Sequence, residues 1–299
     1  MGVASPTVFG CNSSYRHVST RFDAQYGAFW CFIDSSPRFC FTPELMEELI
    51  RFQQDFERTA REAANGGDPP IRYFIAASGN PGVFNLGGDL SLFARCVVDR
   101  DAESLRKYAR TCIAALYPYI AGFHLPITTI SLVQGDALGG GFETALGGDI
   151  LVAERSAQMG FPEVLFNLFP GMGAYHLLLH RVGVQRTERM LLNGKLYSAE
   201  ELHAEGVVDR VAEDGQGENA VYDFIIRNES RRHARESVRR VRRLLSPVRY
   251  EDLQRVADIW VETAMRLGPR EVRLMERVAR SQGRLYRRVP ESLHPSLPE

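Results

Sequence analysis

The sequence predicts an α/β fold whose buried, largely parallel strands alternate with helices and then give way to a helical C-terminal region. Three observations carry this. The runs Trp30–Asp34, Ile71–Ala77, Ile127–Val133 and Asp149–Ala153 are short, apolar and rich in β-branched and aromatic residues, as strands covered on both faces are. Segments of helical spacing lie between them, which is the order of parallel α/β proteins. From about Gly171 the strands nearly cease.

Residues 1–20 are polar and punctuated and are read as a loose arm. Thr42 suits an N-cap and Pro43 the first helical position. Leu45, Leu49, Phe52 and Phe56 then recur at i, i+4, i+7 and i+11, one buried helix face. Asn65-Gly66-Gly67-Asp68-Pro69-Pro70 ends that helix. A second helix covers roughly 102–121, and a third opens at the glycines of 139–141. Ser198, with Glu201 three positions on, caps a helix reaching Glu205. Val207–Val211 reads as a last strand and 214–217 as a loop. Residues 218–288 read as about three helices, broken near Ser246-Pro247 and Gly268-Pro269. The organisation expected is an arm (1–20), a core (21–226), a helical region (227–288) and a flexible tail (289–299).

A chain of 299 residues buries enough surface to fold without disulfides or a structural metal. With 44% hydrophobic and 24% charged residues it is neither disordered nor fibrous. Its longest apolar stretch, around Leu125–Val133, is too short to span a bilayer. The net charge of −1 argues against a polyanion binder, so neither nucleic acid nor membrane is expected as a partner. The charge is nevertheless uneven: residues 1–226 carry −9 and 227–299 carry +8. Cys11, Cys31, Cys40, Cys96 and Cys112 are odd in number and scattered, and no signal peptide is visible. Free thiols in the cytoplasm are expected. The Met1-Gly2 start fails as a myristoylation site because Pro6 replaces the required Ser or Thr.

Three segments can carry chemistry. In Gln134-Gly135-Asp136-Ala137-Leu138-Gly139-Gly140-Gly141-Phe142-Glu143, glycines between strand and helix bring backbone N–H groups close to a ligand oxygen. Glu143 follows in the first helical turn. The plainer reading is a tight turn with a dipole-partner Glu. Phe84-Asn85-Leu86-Gly87-Gly88-Asp89-Leu90 is a second glycine turn, or merely an Asp-capped helix start. In Met159-Gly160-Phe161-Pro162-Glu163-Val164, Glu163 lies among apolar residues, where a carboxyl pKa rises unless the group is solvated. Two N–H donors suit an enolate or tetrahedral oxyanion of a thioester, and two carboxyls can move protons beside it.

These segments, with Pro170-Gly171-Met172-Gly173, resemble the crotonase (enoyl-CoA hydratase/isomerase) superfamily over roughly 30–285. The resemblance implies a ββα spiral core. It places Gly88 and Gly140 as oxyanion donors and Glu143 and Glu163 as the paired catalytic carboxyls. A closer resemblance is to the diffusible signal factor synthases of bacterial quorum sensing. It rests on Gly87-Gly88-Asp89, Pro162-Glu163-Val164-Leu165-Phe166, Leu168–Tyr175, Leu196–Glu200 and Ile259-Trp260-Val261 with Thr263-Ala264-Met265. Such enzymes dehydrate a 3-hydroxyacyl thioester and then hydrolyse it to a free cis-2-unsaturated fatty acid. The resemblance implies a substrate carried on the phosphopantetheine of acyl carrier protein or CoA, and no other cofactor. It also implies a trimer or hexamer and contact with the receiver domain of a signal-sensing kinase. An ordinary enoyl-CoA hydratase and a kinase-restraining binding protein remain the alternatives.

Leu86, Gly87, Leu138, Gly139, Gly141, Met172 and Trp260 are expected to bind substrate, with core packing as the other reading for Leu138, Met172 and Trp260. Arg231, Arg232, Arg235, Arg239, Arg240, Arg242 and Arg243 form a basic helix, read as a solvated face or a dock for acidic carrier protein. His176 and His180 stand at i, i+4 without companion ligands and are read as packing rather than metal binding. The absence of G-x-S-x-G means thioester cleavage is expected without a serine nucleophile.

Overall fold

A computed structural model describes residues 15–64 and 70–286. Most of the predicted arm, Cys11, the stop at 65–69 and the tail at 289–299 lie outside the described residues. The main sheet has six strands: β1 (Val18–Asp23), β2 (Ala28–Ile33), β3 (Tyr73–Ser78), β5 (Thr128–Val133), β7 (Ile150–Glu154) and β10 (Arg210–Ala212), in the order β1-β2-β3-β5-β7-β10. β1 and β2 run antiparallel and the remaining pairs parallel. The arm boundary at residue 20 is therefore corrected: Val18–Asp23 pairs with Ala28–Ile33, and its alternating burial gave no continuous apolar signal. The strand expected at 207–211 is instead Arg210–Ala212, because Val207 and Val208 fill the core as part of a turn.

A second sheet of four short strands, β4 (Gly82–Asn85), β6 (Gly135–Leu138), β8 (Gln158–Gly160) and β9 (Leu196–Ser198), was not expected. Strands of three or four residues are too short for periodicity to register. These strands matter because β3, β5 and β7 each run on into one of them. β4 leads to α2 (Leu90–Val98), β6 to α4 (Gly140–Leu146), and β8 to a 3-10 turn (Pro162–Phe166). That repeated strand–strand–helix unit is the crotonase-like spiral, and its three second-strand exits meet at one place.

α1 (Pro43–Ala64) buries Leu45, Leu49, Phe52 and Phe56 as the spacing predicts, and Thr42 Oγ1 accepts from Leu45 N at 3.2 Å. The Phe56 ring meets Phe29, Phe74 and Phe123 at 4.8, 4.8 and 4.9 Å between centroids. α3 (Ala102–Ile120) turns Leu105, Tyr108, Cys112 and Leu116 inward. α5 (Ala174–Val182), α6 (Val184–Leu192), α7 (Ala199–Ala204) and α8 (Gly217–Asn228) complete the core, with the Ser198–Glu201 capping box in place. The helical region is not a separate unit. α10 (Tyr250–Ala264) lies on α3 and α11 (Pro269–Tyr286) on α2, and Leu253, Trp260, Val261 and Met275 belong to the same apolar core as Leu105 and Phe93.

The basic helix, α9 (Arg232–Leu245), is only partly a solvated face. Asp149, its side chain 3% exposed, is approached by Arg242 at 2.6 Å, Arg243 at 3.1 Å and Arg239 at 3.6 Å. Thr129 N and Oγ1 also donate to it, at 3.2 and 3.3 Å. Removing one partner of a buried ion network strands the others, which typically costs about 3–5 kcal/mol. Asp149→Ala is therefore expected to lower unfolding stability by about that amount, measured by urea denaturation. A loss below about 1 kcal/mol would show that the arginines hold α9 no better than surface charges do.

Candidate active site

Backbone geometry brings two glycine turns together. The 85–89 turn is held from three directions: Asn85 Oδ1 accepts from Gly87 N at 2.8 Å, Phe41 N donates to Gly87 O at 2.8 Å, and Asp89 N donates to the Tyr108 hydroxyl at 3.1 Å. That hydroxyl donates in turn to Phe41 O at 2.5 Å. The second turn leaves β6 through Gly139, whose φ of 53° and ψ of −125° suit glycine. A Cβ on Gly87 would lie 3.1 Å from Gly140 N, so the turns are in contact. Among the described residues, neither Gly88 N nor Gly140 N donates to another protein group. Both remain free for a ligand oxygen.

The two glutamates arrive from different elements. Glu143, on the short α4, is buried, and its Oε1 accepts from Met172 N at 2.7 Å and Ala174 N at 2.9 Å. Glu163 sits at the start of the 3-10 turn, its Oε1 packed on Gly139: a Cβ there would lie 2.3 Å away. Its Oε2 is enclosed without a hydrogen-bond partner. Burial pushes the Glu143 carboxyl up to about 7, against the lowering effect of its N–H donors. Burial and the neighbouring Glu143 charge push Glu163 up to about 8. Glu143, whose Oε1 accepts two backbone N–H groups while Glu163 Oε2 accepts none, is thus the first of the pair to ionise.

An acid raised above its unfolded value binds more protons folded than unfolded. Its stabilising contribution is present at low pH and is lost as pH rises from about 4.5 to about 8. The stability of Glu163→Gln relative to the parent is expected to improve steadily between pH 5 and 8, by on the order of 3 kcal/mol. Thermal unfolding across that range checks it; a difference that does not vary with pH would contradict it.

Both carboxyls and both turns open on one apolar cavity of about 170 Å³. Leu86, Gly87, Leu138, Gly139, Met172 and Trp260 line it. Gly141, also expected to bind substrate, is not among the lining residues. A Cβ there would lie 2.0 Å from Asn85 O, so this glycine lets α4 press against β4. The Trp260 ring meets Phe93 edge-on at 4.8 Å and closes the cavity from α10. Sequence reasoning missed Phe93, Tyr108, Cys112, Asp136 and Val278 as lining residues. Two of these had a signal: Cys112 shares the Leu105–Tyr108 helix face, and Asp136 lies two strand positions from Leu138.

The spiral α/β fold delivers two free N–H groups and two enclosed carboxyls to one apolar cavity, an arrangement suited to holding a carbonyl oxygen and moving protons beside it. The chain belongs to the enoyl-CoA hydratase/isomerase family, which it matches over residues 40–259. It is 33% identical over 155 residues to human mitochondrial methylglutaconyl-CoA hydratase, an alignment covering 52% of this chain and 44% of that protein. The chain thus spans less than half the length of the curated relatives it matches. Enoyl-CoA hydratase from Bacillus halodurans superposes with a TM-score of 0.71 at 20% identity, covering 88% of this chain and all of that one. DspI from Pseudomonas aeruginosa superposes with a TM-score of 0.65 at 23% identity, covering 84% and 98%. At these identities the structural likeness establishes the fold. No helix among the described residues is long and apolar enough to cross a membrane.

Proposed function

We propose that the protein dehydrates a 3-hydroxyacyl thioester and then hydrolyses it, releasing a free cis-2-unsaturated fatty acid of the diffusible signal factor kind. The observation that carries this reading is the pair Glu143 and Glu163, both enclosed beside two unengaged N–H groups. In this reading Gly88 and Gly140 donate to the thioester oxygen and stabilise the enolate; such a donor is typically worth about 3–4 kcal/mol. Glu163 takes the α-proton while Glu143 gives its proton to the departing 3-hydroxyl, which leaves as water. A second water, deprotonated by a glutamate, then adds to the thioester carbonyl, and the thiol leaves with the proton. No serine nucleophile is required.

The resting proton order, Glu143 ionised and Glu163 protonated, is the one needed for hydration. Dehydration starts from the reverse arrangement, the less populated one, because two N–H donors favour the charge on Glu143. Thioester cleavage draws that unfavourable step forward. For the carrier we favour acyl carrier protein, since α9 exposes Arg240 beside Val238, Val241 and Leu244, a surface suited to an acidic partner. The same proton order, and the likeness to methylglutaconyl-CoA hydratase, favour a second reading: hydration of an enoyl-CoA without release of acid.

Mass spectrometry of products from matched 3-hydroxyacyl-carrier-protein and 3-hydroxyacyl-CoA substrates separates the two. Free 2-enoic acid formed from the carrier-bound substrate is expected. Intact thioesters, interconverted only on CoA, would sink the synthase reading and leave the hydratase.

A further inference from the structure

Tyr108 stands on α3, buried, with its ring on the wall of the active-site cavity. The ring meets Phe93 edge-on at 5.3 Å, a contact that phenylalanine would make equally well. The hydroxyl needs its own explanation, because a buried hydroxyl is costly unless it is hydrogen-bonded. It accepts from Asp89 N at 3.1 Å and donates to Phe41 O at 2.5 Å. Both partners hold Gly88: Asp89 follows it in the chain, and Phe41 pairs with it as an isolated parallel bridge. Phe41 N donates in turn to Gly87 O at 2.8 Å. Gly87 O and Gly88 N belong to one planar trans peptide, so they point in opposite directions. Holding Gly87 O on Phe41 therefore aims Gly88 N–H away from Phe41, on the side where Gly88 lines the cavity. An amide whose oxygen accepts a hydrogen bond is also polarised into a stronger N–H donor. The other donor needs no such help: Gly140 N shares a peptide with Gly139 O, which Glu143 N fixes at 2.9 Å within the first turn of α4. Gly88 precedes its helix, α2, and takes its direction from a segment distant in sequence.

We infer that Tyr108 is a positioning residue of the oxyanion site: its hydroxyl locks Phe41 against the 87–89 turn and so sets the direction of Gly88 N–H. This rests on the reading of Gly88 as a donor to the thioester oxygen and adds the group that aims it. The hydroxyl's one proton is committed to Phe41 O, so it takes no part in the proton transfers. Without it the turn can rotate, and the donor loses alignment as charge develops on the oxygen. Removing such a donor outright costs about a hundred- to a thousandfold in kcat, and misaligning one should cost at least about tenfold.

Tyr108→Phe tests this, since it removes the hydroxyl and keeps the ring. The control is Tyr119→Phe, which removes another buried hydroxyl of the same helix, one hydrogen-bonded to Ser131 at 2.8 Å. The readout is the infrared carbonyl band of a saturated acyl-CoA, isotope-labelled at its thioester carbon and bound at saturation to the full-length protein. Saturating ligand favours the folded form of a weakened variant, and melting curves confirm that both variants are folded. In the parent the band should lie below its position in water, because aligned donors polarise the bond. In Tyr108→Phe it should return at least about half way, with kcat for the thioester at least about tenfold lower and KM changed by less than about threefold. In Tyr119→Phe both band and kcat should be parental. A parental band and kcat in Tyr108→Phe, or equal changes in Tyr119→Phe, would overturn the assignment. A band that already lies at the water position in the parent would reject the oxyanion reading itself, and this assignment with it.

Discussion

Replacing Glu163 or Glu143 by glutamine should reduce turnover of a 3-hydroxyacyl thioester by at least about a thousandfold, while the fold persists. Each carboxyl is asked to move one proton in the same step, and positioned acid–base groups contribute about 10²–10⁴. Because both transfers belong to one transition state, the two losses should not add: the double variant should be no slower than the worse single variant by more than a few fold. Glutamine retains a carbonyl oxygen that can still accept from Met172 N and Ala174 N in place of Glu143 Oε1. Loss of activity would then report lost proton transfer rather than lost packing. Single-turnover kinetics on the three variants measures this. A single variant retaining more than a tenth of parental turnover would remove that carboxyl from the mechanism.

The second large effect is expected at Gly139. Alanine there must adopt a φ of 53° and would place its methyl 2.3 Å from Glu163 Oε1. The carboxyl has no hydrogen bond at Oε2 to hold it, so it gives way rather than the strand. A displacement of about 1 Å in a positioned catalytic group costs on the order of a hundredfold in rate. Gly139→Ala should thus lose about a hundredfold in kcat with a smaller change in KM, and pair this with a stability loss of about 1–2 kcal/mol from the left-handed backbone. Equal rates for Gly139→Ala and the parent would show that Glu163 need not sit where the structure places it.

Much of this was legible in the sequence because the site is built from contiguous turns. The glycines of 139–141 and 87–88 sit at strand exits, where spacing allowed exposed N–H groups or plain tight turns, and the combination of motifs decided between them. Glu163 reads as unusual because Phe161 and Pro162 precede it and apolar residues follow. What could not be read depends on tertiary contacts. The second sheet has strands of three or four residues, shorter than any period can reveal. Gly141 looks identical to Gly140 in sequence, yet only the fold sets Asn85 O against it. Asp149 gave no hint that arginines ninety residues later would close on it.

The central claim is that Glu163 faces the α-carbon of a thioester whose oxygen Gly88 and Gly140 hold. Solvent exchange at that carbon tests it most directly. In heavy water, parental protein should exchange the α-proton of a 3-hydroxyacyl thioester for deuterium, followed by NMR. Glu163→Gln should show no exchange. Exchange in Glu163→Gln at the parental rate would contradict the account, because the base at the α-carbon would then be another group.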